Sequence, residues 1–580
     1  MTKSQSALKN YLLASVMVMV GAAVGSGTAL AQATATPAAA AAANGNGNGN
    51  GGGNGNGGGG GNGGGGGNGG SGGGGSGGTS QAVDPGLRGG PAGAGGPIAG
   101  LTTDELNFFN SSQTVFEEVD GVPEGLGPGF NGNSCAGCHA YPAPGGSSPP
   151  TNPQMALATL DGAHNTVPSF ITATGPVREA RFVKNADGTP DGGVHDLFTI
   201  AGRSDAGSCN MAQPDFAAQV AANNITYRIP PALFGLGLVE NTSDDALTAA
   251  FTGSAQQRSS LGISGNFNVT KEIGISGTFN TSGNTGNITR FGWKAQNPSL
   301  MVFAGEAYNV EQGVTNDDFP EERNNPPANC ILNPLPESTT NLTNTTNSAS
   351  AAADYSQDIV DQAAFMRMTA PPAPATPGSP TASSTTTPAT TASSTTTPAT
   401  TASTTTTPAT TASTTTQVAS ADATSVLSAA AGTSSSTSST GSTGSTGSVA
   451  ADASQGQQVF QNVGCAACHT PSLTTGNSQI GAAESNVTYH PFSDFAVHNM
   501  GTGLADGVTQ GAATGNQFRT APLWGVGQRT YFLHDGRTNN LVTAIEHHAS
   551  SGSEANTVIQ NFNMLSTANQ QALVDFLRSL

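Results

Sequence analysis

Two stretches of this chain cannot belong to a packed core, and they decide how the rest can fold. From Gly45 to Gly78 the sequence is almost entirely Gly and Asn, with no side chains to bury. From about Pro371 to Val449 it repeats a ten-residue unit, Thr381-Ala-Ser-Ser-Thr-Thr-Thr-Pro388-Ala-Thr, before passing into Ser, Thr and Gly. That unit lacks an apolar position that stacking would bury, so the expectation is a disordered insertion rather than a solenoid. The chain then divides into a leader at 1–31, a disordered Gly/Asn/Ala-rich linker at 32–99, a folded region at 100–370, the Thr/Ser/Pro-rich insertion at 371–452 and a second folded region at 453–580.

The leader has the features of an export signal. Lys3 and Lys9 precede an apolar run from Leu12 to Val24, and Ala29-Leu30-Ala31 supplies small residues for cleavage. The run is shorter than the roughly 20 apolar residues that span a bilayer, and no later segment is long and apolar enough. A periplasmic or secreted protein without a transmembrane segment after cleavage is expected. The net charge of −19 becomes more negative once the two lysines are removed, which argues against nucleic acid or an anionic membrane as partner.

Each folded region holds one Cys-x-x-Cys-His. Cys135, Cys138 and His139 form the first, and Cys465, Cys468 and His469 the second. Two thiols at this spacing match the two vinyl groups of a haem, and the imidazole that follows is placed to ligate its iron. Zinc would want ligand pairs a short loop apart, and thiol redox chemistry gives no reason for a histidine after both pairs. Two covalently attached c-type haems are therefore expected, with His139 and His469 as proximal ligands. Candidates for the opposite iron face are Met155, His164 and His195 in the first region, and His498, Met500, His534, His547 and His548 in the second. Cys209 and Cys330 remain, and in an oxidising compartment they are expected to pair.

The second region has a helical frame. Gln457, Val459, Phe460 and Val463 precede its haem motif, and Leu573, Phe576, Leu577 and Leu580 recur at helical spacing, with Ser566 and Thr567 available as N-cap. The first region is richer in Gly, Pro and Asn. The predicted fold is mainly α: two cytochrome c-like haem domains with short strands, one of them around Asn266 to Phe279, much irregular structure, and disordered linkers.

Several stretches carry a resemblance. Gly125 to Asn131 with the first haem motif and Gly145-Gly146, then Gly202 to Asp205, Tyr227 to Pro231, Phe291 to Gln296, Gly305 to Tyr308, Val497 to Gly501 and Phe532 to Arg537 resemble the di-haem oxidoreductase (putative peroxidase) family. That family is similar to bacterial di-haem cytochrome c peroxidases, in which one haem receives electrons and the other reacts with hydrogen peroxide. In those peroxidases a methionine fourteen residues after the histidine of the His-Asp-Gly turn ligates the C-terminal haem. The same interval from His534 reaches His548, so the resemblance implies a bis-histidine second haem of lowered potential, with Met500 as the rival ligand. It also implies that Trp293 lies between the haems and that Glu306 is an acid or base at an open iron. Arg203, Arg228, Arg519 and Arg537 are candidates for haem propionates or developing charge. Calcium is an open candidate as a further ion.

The expected function is reduction of hydrogen peroxide with electrons from a small redox protein. The alternatives are a non-catalytic di-haem electron carrier and haem-dependent oxidation of an organic or protein substrate.

Overall fold

The computed structural model describes residues 82–269, 287–316, 318–319, 322–330, 357–375, 449–478 and 481–580. The leader, the Gly/Asn stretch, most of the Thr-rich insertion and part of the strand expected around Asn266 to Phe279 lie outside them.

Three helices frame the first region: α1 (Thr103–Phe116), α2 (Leu300–Gln312) and α3 (Gln357–Met368). Thr102 starts α1 through a capping box, its hydroxyl accepting from the Glu105 N–H while the Glu105 carboxylate accepts from the Thr102 N–H at 2.7 Å. The helix buries Phe108, Phe109, Ser112 and Phe116, and Phe109 and Phe116 close on Phe365 of α3 with ring centroids 5.6 and 4.5 Å apart. From Ile359 to Met368 every residue of α3 is buried. Of its two buried charged residues, Arg367 is satisfied by Glu240, Nε to carboxylate at 2.6 Å, and Asp361 accepts from the Ser112 hydroxyl at 3.3 Å. On α2, Ser299 caps the N-terminus, and Gly313 ends the helix with φ +68°, a left-handed conformation natural to glycine.

Strands are two to four residues long. The largest sheet is antiparallel, β1 (Glu179–Phe182) between β2 (Val194–His195) and β3 (Ile225–Arg228). Behind it Cys209 and Cys330 are joined as a disulfide, Cα to Cα 4.5 Å, inside an apolar cluster with Phe130, Phe198 and Ile200.

The second region is built on α4 (Val449–Val463), α5 (Leu541–Glu546) and α6 (Thr567–Ser579), with a ribbon of β4 (Val497–Asn499) and β5 (Gln517–Arg519). Helix α6 is capped by Ser566 and presents Leu573, Phe576 and Leu577 to Val459, Phe460 and Val463 of α4. The two helices touch backbone to backbone: a β-carbon on Gly456 would sit 1.9 Å from the Ala572 carbonyl oxygen.

The regions flanking the insertion belong to one compact unit. Leu473, Tyr489, Phe495 and Trp524 from the second region share a core with Phe109, Phe291, Leu300 and Phe365 from the first. Residues 82–99, which composition assigns to the disordered linker, are a docked strap. Ile98 N–H bonds to Met368 at 2.7 Å and Arg88 N–H to Gly527 at 2.8 Å, while Asp84 and Arg578 form an ion pair at 2.7 Å with side chains 4% and 3% exposed. The strap has few apolar side chains, and polar anchors hold it in their place. Among the described residues no helix is long and apolar enough to cross a membrane.

Candidate haem sites

Ser134, in extended backbone, leads into one helical turn over Cys135–Cys138, and His139 N–H closes it on the Cys135 carbonyl at 2.9 Å. Both thiols and the imidazole are thus presented by one turn. The chain then doubles back in a tight loop bridged between Tyr141 and Ser147. Gly146 is needed there, because a β-carbon would lie 2.1 Å from the Tyr141 carbonyl oxygen. The loop aims the Gly146 carbonyl at His139 Nδ1, 3.1 Å away. A carbonyl only accepts, so Nδ1 carries the proton and Nε2 the lone pair, the tautomer a metal requires. Burial pushes the His139 pKa down to about 4, which keeps the ring neutral.

These residues line a cavity. Phe116, Val177, Ile229, Leu233, Phe303 and Met366 supply apolar wall, and Arg178, Glu179, Arg181, Arg228 and Glu311 a charged one. Burial pushes the Cys138 thiol up to about 12 and Cys135 higher. Neutral, paired thiols suit thioether attachment better than thiolate ligation of a metal. Among the described residues no three His, Cys, Asp or Glu side chains gather as a metal cage.

The second motif is a 3₁₀ turn, Cys465–Ala467, entered through Gly464 at φ +106°. His469 is prepared as His139 is. Its Nδ1 donates to the Phe492 carbonyl at 2.8 Å, which Phe492 delivers from a left-handed backbone at φ +49°, a conformation rare outside glycine. Burial again pushes this imidazole down to about 4, and His548 depresses it further. His548 therefore lies within electrostatic reach of His469. Its own Nδ1 donates to the Ala544 carbonyl of α5 at 2.8 Å, leaving Nε2 with its lone pair, and burial lowers its pKa.

The other histidines and methionines separate by what holds them. His498 is tied up on both ring nitrogens, Nε2 to Asp494 at 3.1 Å and Nδ1 to Glu554 at 3.0 Å; the neighbouring Cys468 and Asp494 raise its pKa well above 6.5 although burial opposes this. Met500 is half-buried and fixed through its backbone to Asn516 and Ser550. His534 stacks on Phe518 at 4.3 Å, and His547 is half-buried at the end of α5. In the first region, Met155 is 38% exposed and His164 is exposed. His195 is tied to Asp191 at 3.0 Å and stacked on Phe182. None of these three lines the cavity. Apart from His139, the wall's one histidine or methionine among the described residues is Met366. Nothing in the sequence singles it out beyond its place in a buried helix.

Trp293 is on the cavity wall, its Nε1 donating to the Ile229 carbonyl at 2.9 Å and its ring edge-on to His534 at 6.5 Å. Glu306 is not on the wall. It accepts from Asn297 Nδ2, and burial raises its pKa. The carboxyls that do reach the cavity are Glu179 on β1 and Glu311 on α2, hydrogen-bonded to each other. Burial and the neighbouring Glu179 charge push Glu311 well above the usual carboxyl range; burial also raises Glu179, but Arg181, the hydrogen bond from Glu311 and Arg228 together hold it below that range. Of the two, Glu311 is the carboxyl that favours its protonated form. Glu179 is recognisable only from the fold, since it and Glu311 are far apart in sequence. Among the candidate arginines, Arg203 and Arg537 are committed to Asp205 and Asp535, and Arg228 lines the cavity paired with Asp506 at 2.9 Å.

Comparison with curated proteins and with solved structures gives no match. A family model described as "Di-haem oxidoreductase, putative peroxidase" matches residues 183–429 and 390–580. The match begins after the first Cys-x-x-Cys-His and includes the second. Covering more than half of the sequence, it shows that the chain belongs to the di-haem oxidoreductase, putative peroxidase, family.

Proposed function

We propose that this di-haem oxidoreductase carries two covalent c-type haems, at Cys135, Cys138 and His139 and at Cys465, Cys468 and His469, and reduces hydrogen peroxide at the first with electrons entering through the second. The observation that carries this reading is the contrast between the sites: His469 has a second imidazole with its Nε2 lone pair free, His548, within electrostatic reach, whereas His139 faces a cavity with a hydrogen-bonded carboxyl pair in its wall. Haem, when bound, supplies the redox chemistry.

The protein's own part follows from its side chains. His139 and His469 each offer Nε2 because a backbone carbonyl fixes the proton on Nδ1. His548 offers the same nitrogen and makes the second site a bis-histidine electron relay of low potential; Met500 is the rival ligand. Glu311 holds a proton at the cavity wall and Glu179 can accept one, the two functions that cleavage of a peroxide bond needs. Glu306, expected as the acid or base, supports this wall from behind through its electrostatic coupling to Arg181 and Glu179. Trp293 fills the wall on the side of His534 and is the aromatic step for electron passage. The donor is a small redox protein, and the location is the periplasm or the exterior. Nothing further supports calcium.

Met366 favours a second reading, a di-haem electron carrier in which the thioether occupies the remaining face of the His139 haem. One experiment separates them. Peroxide added to the reduced protein should change the Soret band and be turned over with a donor cytochrome; no spectral response and no turnover would leave the carrier. Turnover only with an organic reductant would point to oxidation of an organic substrate.

A further inference from the structure

One side-chain amide in the wall of the first cavity donates to nothing in the protein. Asn131 lines the cavity and is 2% exposed. Its side-chain oxygen accepts from the Leu197 N–H at 3.0 Å. An N–H must face an acceptor, so this bond fixes which way the amide is turned and leaves Nδ2 as the side-chain atom able to meet a ligand. That Nδ2 is buried without a hydrogen-bond partner. Six other asparagines are buried among the described residues, Asn152, Asn241, Asn268, Asn297, Asn309 and Asn316. In every one of them Nδ2 donates to a carbonyl or carboxylate oxygen. None of the six lines the cavity. A buried donor without an acceptor is costly, and the fold leaves the amide of Asn131 in that state where a ligand can relieve it.

The position of the amide is fixed on several sides. The N–H groups of Asn131 and Gly132 both donate to the Glu311 carbonyl, at 2.7 and 3.1 Å, and the Asn131 carbonyl accepts from Gln154 Nε2 at 3.1 Å. A β-carbon on Gly132 would lie 3.2 Å from the Cys138 sulfur. Asn131 therefore adjoins both the haem-attachment turn and the carboxyl pair of Glu311 and Glu179. The thiols mark the vinyl edge of a c-type haem, opposite its propionates, so this donor is at the wrong edge to clamp a propionate.

We propose that Asn131 Nδ2 holds an oxygen atom of hydrogen peroxide in the first cavity and is a catalytic residue of the reduction. The inference rests on the peroxidase reading above and adds a residue that reading does not use. Peroxide takes up two electrons from the haems and two protons to give two waters. An amide supplies neither. Its N–H orients the peroxide beside Glu311 and stabilises the negative charge that grows on oxygen as the O–O bond breaks.

The test uses the full chain matured with haem, comparing wild type with Asn131→Asp and Asn131→Leu. Asp keeps an oxygen for the Leu197 N–H and removes only the donor, whereas Leu removes the donor without adding charge. Two readouts are taken: the second-order rate of the Soret change with hydrogen peroxide, and equilibrium binding of fluoride and of imidazole to the oxidised protein. Iron-bound fluoride accepts a hydrogen bond from a neighbouring donor, and iron-bound imidazole does not. The expected result in both variants is a loss of about tenfold or more in peroxide rate and fluoride affinity, with imidazole affinity unchanged. Asn131→Leu that binds fluoride and reacts with peroxide as wild type does would overturn the proposal, because any loss in Asn131→Asp would then come from its charge. If Asn131→Leu fails to fold, Asn131→Asp decides, since peroxide is uncharged: a wild-type peroxide rate would overturn the proposal. Equal losses of fluoride and imidazole affinity would overturn it as well, by showing a general distortion of the cavity. A wild type that binds neither ligand and does not respond to peroxide would refute the peroxidase reading, and the role of Asn131 with it.

Discussion

Replacing Asp84 by Ala removes the anchor of a segment whose composition suggests no anchor. In the native strap Asp84 accepts from Arg578 Nε at 2.8 Å and Nη2 at 2.7 Å, and from the Leu541 N–H at 2.6 Å. Both ionic partners are nearly sequestered from water, so the change leaves a guanidinium buried without its carboxylate. Breaking such a pair from one side costs about 3–5 kcal/mol. With a melting-point change of about 2–4 °C per kcal/mol for domains of 150–250 residues, the expected loss is about 6 °C or more. Thermal unfolding of the full chain, followed by circular dichroism, is the assay. Arg578→Met alone should cost a similar amount, and the double variant should cost well under the sum, since it leaves no charge stranded. A shift below about 1 °C for Asp84→Ala, or strict additivity in the cycle, would show that the strap rests on the surface without supporting it.

At the α4–α6 crossing, Gly456→Val should cost about 1–3 kcal/mol or prevent folding, because the backbone of Ala572 cannot yield as a side chain would; unchanged denaturant midpoints would contradict the packing. Opening the Cys209 to Cys330 link, which spans 121 residues, by a double Ser substitution should cost about 4–5 kcal/mol on a chain-entropy basis, and wild type in reductant should approach the variant. The His498 cluster sets an acid limit. Although burial opposes it, His498 holds the Glu554 pKa down from 4.5 to about 2, so the stabilisation is complete above pH 4.5 and fades as pH falls toward 2. On the alkaline side it persists until His498 deprotonates, well above pH 6.5. His498→Gln should flatten the acid limb of a stability profile; an unchanged limb would place the acid sensitivity elsewhere. His548→Ala should convert the second haem's spectrum to a high-spin form, whereas an unaltered low-spin spectrum would transfer the ligand role to Met500.

Features written within a few consecutive residues were legible in the sequence, and features assembled from distant segments were not. Cys135 to His139 and Cys465 to His469 could be read directly, because one turn of chain presents both thiols and the imidazole. The capped helix at Ser566 and the apolar face of α6 were equally local. The wall of the first cavity is different. Glu179 comes from a four-residue strand, Glu311 from the last turn of α2 and Met366 from α3, and only tertiary packing brings them to one space. Met155, His164 and His195 were plausible by residue type, yet each is held elsewhere. The strap escaped notice for a third reason: Gly and Pro dominate it, and its anchors, the Asp84 carboxylate and a few backbone hydrogen bonds, meet partners far away in the sequence.

That last pairing has a consequence for the order of events in the molecule's life. Asp84 and Arg578 are separated by 494 residues, so although Ile98 can bond Met368 earlier, the Asp84 end of the strap cannot be anchored until α6 has been synthesised. Both Cys-x-x-Cys-His turns emerge before α6. The Asp84–Arg578 contact therefore closes only after both haem-motif turns have been made.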